Sequence, residues 1–256
     1  MRPRRPATRM TDRSDLDSLF ETAPAATRRF DPADFAHLPQ PVQRYLARAI
    51  APGTPLACAV RLRMHGSIKL KRWHPFTALQ VIVRERGMIW RARVKLGRFV
   101  IRGFDRYVDG EGAGQWKLFG MLPIVHEEGP DATRSAADRF AAESIWLPST
   151  FCSEQVAWQA NGAEVLHARF AVDGHDEELA LTTSLGSLLA VAMKRWGNPE
   201  GAGFGPNDFG ALVEQEAVFD GYTIPARVRV GWHFGTARFE TQGEFFHATI
   251  DEARFR

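Results

Sequence analysis

The chain has 256 residues, of which 45% are hydrophobic and 25% charged, with a formal net charge of +3 at neutral pH. This composition excludes a chain that is disordered throughout, and it allows one large domain or two small ones. No apolar run approaches the roughly 20 residues of a transmembrane helix, so we expect a soluble protein. Cys58 and Cys152 are too few for a disulfide framework and have no metal-ligand spacing, so we interpret both as buried thiols.

The charge is unevenly distributed along the chain. Residues 1–30 contain seven arginines against four acidic residues, which accounts for the whole net charge. Residues 56–106 contain 13 Lys and Arg against Glu85 and Asp105, and the acidic residues that balance them lie downstream. A neutral domain with an arginine-bearing tail gives little support to nucleic-acid binding, so we predict no nucleic-acid partner.

The N-terminal segment, residues 1–37, is interpreted as a largely disordered tail, and residues 38–256 as a single domain. Arginines near the start are followed by no apolar run, so no secretory signal is recognised and we expect a cytoplasmic protein. Either Met1 or Met10 could be the true start. The first predicted helix begins at Pro41, carries an apolar stripe from Val42 to Ile50, and ends at Ala51.

From residue 58 the apolar period changes from 3.6 to 2, which is typical of a β-strand. Val60, Leu62 and Met64 share one parity, and the same alternation returns over residues 88–96 and 226–234. Further segments separated by turn residues are also predicted to be strands: 99–107, 115–122, 154–159, 164–172, 178–183, 188–196, 212–219 and 237–250.

One predicted helix interrupts these strands, with Asp131 as a plausible N-cap and Pro148 beyond its end. Strands joined by short turns, without regular βα alternation, favour a meandering antiparallel sheet. Two helices cannot cover about ten flat strands, so we predict that the sheet curls. The predicted fold class is mainly β (α+β), a large curved antiparallel half-barrel closed by one or two helices.

Several motifs that could carry chemistry have simpler explanations. The glycines at 110, 112 and 114 precede a strand and indicate a β-turn, and those from 197 to 205 indicate a hairpin loop. His126 and His175 are each followed by acidic residues, but adjacent strand residues point to opposite faces. We therefore predict no metal, no cofactor and no assigned catalytic residue, and whether the protein is an enzyme stays open.

Four motifs resemble a bacterial family of domains of unknown function. They have the forms LPxPVxRYL, WxPFxAxQ, DRYVDGxG and RxxAExxWLP, and begin at Leu38, Trp73, Asp105 and Arg139. The chain's ending is similar to carriers of the lipoprotein-localisation (LolA-like) type, with Asp220, Gly221, Ile224 and Pro225 between two strands. This second resemblance implies a half-barrel closed by helices over an apolar cavity that holds acyl chains.

The candidate ligand-binding residues combine aromatic side chains with polar residues of the family motifs. They are Phe76, Gln80, Trp90, Asp105, Trp116, Arg139, Glu143 and Trp146. The aromatic residues either fill the core or line a cavity, and the polar residues form either a structural network or the polar floor of that cavity. The leading hypothesis is binding of an apolar or lipid-like small molecule, and a small-molecule enzyme using Glu143, Arg139 and Asp105 is the alternative.

A third hypothesis uses the outward parity of two strands, which we call the basic face. A solvated sheet surface explains it, but it could also dock on an anionic membrane surface. No pattern in the chain predicts the oligomeric state of the protein. The basic face comprises Arg61, Arg63, Lys69, Lys71, Arg91, Arg93 and Lys95.

Overall fold

The computed structural model describes residues 13–118 and 122–256, and its main element is one antiparallel sheet of 13 strands. The sheet is curved and unclosed, which confirms the predicted fold class. Its strands in chain order are β1 (Ala59–Leu70), β2 (Arg72–Val83), β3 (Gly87–Leu96), β4 (Phe99–Val108), β5 (Glu111–Leu118), β6 (Leu122–Glu127), β7 (Ala157–Asn161), β8 (Val165–Val172), β9 (His175–Ser184), β10 (Ser187–Gly197), β11 (Gly205–Phe219), β12 (Tyr222–Trp232) and β13 (Glu244–Phe255).

The strand order makes two meandering arms that meet in the middle of the sheet. It runs β6-β5-β4-β3-β2-β1-β13-β12-β11-β10-β9-β8-β7, so β1 pairs with β13 and the edge strands are β6 and β7. Hairpin turns connect most neighbours, as at Asp109 and Gly110, where positive φ angles of 52° and 81° close β4 onto β5. The two predicted glycine turns are therefore confirmed, the second as the loop between β10 and β11.

Within residues 13–118 and 122–256, three α-helices accompany the sheet: α1 (Arg13–Glu21), α2 (Gln40–Ala49) and α3 (Pro130–Ala142). The predicted helices at Pro41 and Asp131 correspond to α2 and α3, whose buried faces include Leu46 and Phe140. Shorter helical turns lie at Pro32–Phe35, Glu143–Trp146, Pro148–Cys152 and Phe239–Gly243. Among the described residues, no helix combines the length and the apolar character needed to cross a membrane.

Helix α3 connects the two edge strands and lies across the face of the sheet that we call the concave face. It contacts β3, β4 and β5 in one arm and β8, β9 and β10 in the other. Close approach is possible because position 112 on β5 is glycine, where a Cβ atom would lie 2.5 Å from Thr133 Cα. Tyr107 and Phe140 add aromatic contact between β4 and α3, with ring centroids 5.8 Å apart.

Part of the opposite face of the sheet packs against α1, which lies in the segment that the sequence prediction assigned to a largely disordered tail over residues 1–37. Residues 1–12 lie outside the described residues, but Leu16 and Leu19 are buried against Val81, Val83 and Ile89. These strand residues have the parity opposite to the concave face, so they form a second apolar surface. A short amphipathic helix is stable here because it buries its apolar side on that surface.

Strand boundaries also differ from the sequence prediction. Strand β2 was not predicted, and the segment predicted over 115–122 extends into residues 119–121, which lie outside the described residues. The segment predicted over 237–250 divides into a helical turn and β13. Cys58 and Cys152 are free, buried thiols, as predicted.

Candidate functional site

A cavity of about 670 Å³ lies between the concave face and α3. Its volume falls within the range of about 300–1,000 Å³ that is usual for small-molecule sites. Most of its wall is formed by aromatic and aliphatic side chains, and one region of the wall is charged. Large wall residues include Trp90, Trp146, Phe209, Trp232, Phe245 and Phe246.

The aromatic wall is held by ring contacts between neighbouring strands. Trp90 on β3 lies 5.9 Å from Phe246 on β13, and Phe76 on β2 stacks on Phe246 at 5.0 Å. On the other arm, Phe209 and Trp232 meet edge to face at 5.1 Å. These geometries add to the stabilisation from burial, so this part of the wall is preformed.

The charged region is organised by Arg139, near the end of α3. Its Nη1 donates to Asp105 Oδ2 and its Nε donates to Glu143 Oε1, each at 2.7 Å. The remaining carboxylate oxygens also accept hydrogen bonds, Asp105 Oδ1 from Trp116 Nε1 at 3.1 Å and Glu143 Oε2 from Gln80 Nε2 at 2.5 Å. Every oxygen of the two carboxylates therefore has a donor.

Arg139 is stabilised in its charged form by this network. Burial lowers the pKa of Arg139, but Glu143 and Asp105 outweigh that effect and raise the pKa above its ordinary value. The guanidinium carbon also lies 5.1 Å from the centre of the Trp90 ring. The polar residues predicted from the sequence thus pair among themselves and join α3 to the sheet.

The structure brings the eight sequence-predicted site residues together but divides them into two sets. Trp90, Asp105, Arg139, Glu143 and Trp146 line the cavity. The other three, Phe76, Gln80 and Trp116, lie behind the wall, in contact with Phe246, Glu143 and Asp105 respectively. Ligand binding by these residues stays a prediction.

Sequence reasoning missed Arg195, which lies on β10 and lines the cavity. Its guanidinium carbon lies 4.7 Å from the centre of the Phe209 ring and 5.1 Å from that of Trp232. Two of its nitrogens donate to Ser135 on α3, Nε to the carbonyl oxygen and Nη2 to Oγ, both at 3.3 Å. Within the described part of the chain, no carboxylate lies within 4.0 Å of it.

Burial and the positive charge of Arg139 lower the pKa of Arg195 to about 10, and neighbouring carboxylates oppose this only in part. The side chain remains charged at neutral pH. Glu127, at the end of β6, also lines the cavity. Burial, followed by the charge of Asp105, raises the pKa of Glu127, while Arg195 lowers it.

A second polar cluster lies on the side of α3 away from Arg139. Arg134 contacts Asp138 at 2.9 Å and Glu177 at 3.1 Å, and Asp138 Oδ2 also accepts a hydrogen bond from the Trp196 backbone N–H at 2.6 Å. Burial, followed by the negative charge of Asp138, raises the pKa of Glu177 to about 8. This cluster does not line the cavity and serves to attach α3 to β9 and β10.

The basic face is partly neutralised by its neighbours. Arg61 lies 3.0 Å from Asp17 on α1, and Arg63 lies 3.4 Å from Glu252. Residues 13–118 and 122–256 contain no group of three or more His, Cys, Asp or Glu side chains that could hold a metal ion.

Comparisons with known proteins give one matching family and two solved structures of distant similarity. A domain assigned to outer-membrane lipoprotein sorting from Vibrio parahaemolyticus is similar at 9% identity and a TM-score of 0.43, over 85% of this chain and 91% of its own. A LolA superfamily protein from Nitrosomonas europaea is similar at 9% identity and a TM-score of 0.39, over 84% and 92%. At these values no functional property is transferred. No curated protein matches the chain.

The model of a family of unknown function, DUF6920, matches residues 36–255. This range contains all four motifs on which the resemblance to a bacterial family of domains of unknown function was based. It also contains every residue that lines the cavity. The chain belongs to the DUF6920 family.

Proposed function

We propose that the protein binds an apolar or amphipathic, lipid-like small molecule in the cavity between the concave face and α3. The observation that carries this proposal is a space of about 670 Å³ whose wall is mainly aromatic and aliphatic but includes a charged region. Burial of apolar ligand surface in such a site is favourable by about 25 cal/mol per Å². The expected cytoplasmic location stays a prediction.

The direct test is native mass spectrometry of the purified protein, combined with solvent extraction and analysis of bound lipids. We expect either a co-purified small amphiphile or uptake of a neutral fluorescent probe such as N-phenyl-1-naphthylamine. An interior that takes up neither would contradict the proposal.

A pair of Val→Trp variants shows whether uptake depends on the cavity. Val230→Trp places a large ring at a cavity-lining position, whereas Val218→Trp places the same ring at a position that is 67% exposed. We expect the first variant to reduce probe uptake and the second to leave it unchanged. Equal uptake by both variants would place the bound probe outside the cavity.

Catalysis by Glu143 has less support from the geometry. Both oxygens of Glu143 already accept hydrogen bonds, from Arg139 and Gln80, which favours a structural carboxylate over a proton-transfer group. The enzyme hypothesis remains a prediction that a substrate screen with Glu143→Gln would test. If the unsubstituted protein turns over a substrate and Glu143→Gln loses that turnover at unchanged stability, the result would favour the enzyme hypothesis.

A further inference from the structure

Arg195 differs from Arg139, the other arginine that lines the cavity, because no carboxylate of the described residues lies within 4.0 Å of it. Among the described residues its side chain forms hydrogen bonds only with Ser135, through Nε and Nη2. An arginine has five N–H donors, so part of the guanidinium, including Nη1, has no acceptor within residues 13–118 and 122–256. A buried or partly buried charge without a partner is costly, and a ligand that supplied the missing charge would remove that cost.

The position of Arg195 is fixed by its surroundings. Phe209 and Trp232 contact its guanidinium, and both rings also line the cavity. Trp232 can approach β10 closely because position 197 is glycine, where a Cβ atom would lie 2.3 Å from the Trp232 ring. The planar guanidinium is thus held beside apolar surface, with little conformational entropy left to lose on binding.

Building on the proposed function, we propose that Arg195 binds the oxyanion headgroup, a carboxylate or phosphate, of an amphiphile whose apolar part occupies the cavity. Guanidinium donors match the oxygens of such groups in geometry and charge. Beside Phe209 and Trp232 the cavity wall continues with the aliphatic residues Val230 and Val228, so an attached alkyl chain would contact apolar residues.

Most acidic residues around the cavity already have a partner, so they favour a cationic headgroup less than Arg195 favours an anionic one. Asp105 and Glu143 are already paired with Arg139. Asp131 accepts a hydrogen bond from Trp196 Nε1 at 2.8 Å, and His126 lies 3.3 Å from Glu128. Glu127 is the remaining competitor for Arg195, and its raised pKa shows that burial disfavours its charge. Because a Glu127 carboxylate would compete with an anion for Arg195, removing the charge of Glu127 should help an anion to bind.

The test compares dodecyl phosphate, dodecanoate, dodecanol and dodecylammonium, all below their micelle concentrations, by displacement of N-phenyl-1-naphthylamine. We expect the full chain to bind the two anions about tenfold or more tightly than dodecanol, since a charged hydrogen bond is worth more than a neutral one. Arg195→Met should abolish this preference but retain dodecanol binding. Arg195→Lys should keep part of the preference, and Glu127→Gln should increase it.

The control is Arg93→Met, which removes the same charge from the exposed, outward-facing side of β3 and should leave the preference unchanged. If dodecanol binds as tightly as the anions, or dodecylammonium binds best, the headgroup site is wrong but the proposed cavity function stands. If no member of the series displaces the probe, both proposals fail. Binding of inorganic phosphate as tight as that of dodecyl phosphate would show a site for a free anion and overturn the amphiphile.

Discussion

Arg139 and Arg195 line the same cavity, but their surroundings are opposite. Arg139 contacts two carboxylates that other donors also hold, and its pKa is raised. Arg195 contacts two neighbouring aromatic rings and has no carboxylate within 4.0 Å among the described residues, and its pKa is lowered to about 10. One charge is satisfied by the protein itself, and the other is only partly satisfied.

This difference separates a structural ion network from a candidate recognition group. Removing one member of a satisfied network leaves the other members buried and unpaired, which reduces stability. Removing a charge that has no ionic partner costs the fold little but removes what it offers to a ligand. The variants below test this division, beginning with the largest expected effect on stability.

The largest expected difference in stability is between variants of Trp90, which contacts Arg139, and Trp232, which contacts Arg195. Trp90, which contacts Arg139, is 2% exposed, whereas Trp232, which contacts Arg195, is only partly buried. We expect Trp90→Ala to lower the free energy of unfolding by about 3–5 kcal/mol, as for other buried aromatic residues. Trp232→Ala should cost about half as much. Urea denaturation followed by circular dichroism measures both, and equal costs would contradict a rigid Arg139 side and a more open Arg195 side.

Arg139→Met should be the next most destabilising change. It leaves Asp105 and Glu143 without their cation, and these side chains are 31% and 11% exposed. Because the network is partly exposed, we expect a loss of about 2–3 kcal/mol, below the value for a fully buried pair. The double variant with Glu143→Gln should recover part of the loss in a double-mutant cycle. Strictly additive losses would show that the pair is not coupled.

Glu177 should make stability depend on pH in an unusual direction. Its pKa rises from 4.5 to about 8 on folding, so between these values the folded state holds a proton that the unfolded state releases. Stability from this residue is therefore complete below about pH 4.5 and is lost as the pH rises toward 8. One pKa unit corresponds to about 1.4 kcal/mol, and we expect a loss of at least ~1 kcal/mol over this interval.

Denaturant titrations at pH 5 and pH 8 measure this loss. Glu177→Gln should flatten the difference, because the amide stays neutral at both values. Glu178→Gln is the matched control, since Glu178 lies on the exposed side of the same strand, where Arg169 and His167 lower its pKa. A pH difference that persists in Glu177→Gln would assign it to another group.

Arg195→Met should have the smallest effect on stability. It removes two hydrogen bonds of 3.3 Å and two ring contacts, but in the described part of the chain it leaves no carboxylate unpaired within 4.0 Å. We expect a change of about 1 kcal/mol or less in the free energy of unfolding. A loss as large as that of Arg139→Met would mean that Arg195 is also part of a structural network.

The alternation of apolar and polar residues was sufficient to predict most strands and the antiparallel class, and the apolar stripe after Pro41 and the cap at Asp131 predicted α2 and α3. Strand parity also placed Trp90 and the residues around it on one face, because a pleated strand fixes which side each residue occupies. The same reasoning did not identify α1 as part of the fold, since its nine residues have no stable partner except the outer sheet surface at Val81, Val83 and Ile89.

Arg195 shows what local pattern could not reveal. Leu188 and Val191 both belong to the main core although their parities differ, because a register shift lies between Leu188 and Ala190. After that irregularity the inward positions are Val191, Met193 and Arg195, so a cation faces the interior. A strand read with constant parity would place it outside.

The sequence by itself determined a curved antiparallel sheet with apolar residues on one face, because hydrophobic periodicity is a local property of each strand. Only the tertiary structure decided which charges are paired. Asp105 and Arg139 are 34 residues apart and Gln80 and Glu143 are 63 apart, so their contacts depend on how α3 crosses the two arms. The same crossing leaves Arg195 beside the cavity with no carboxylate within 4.0 Å among the described residues, because Asp105 and Glu143 are held by Arg139.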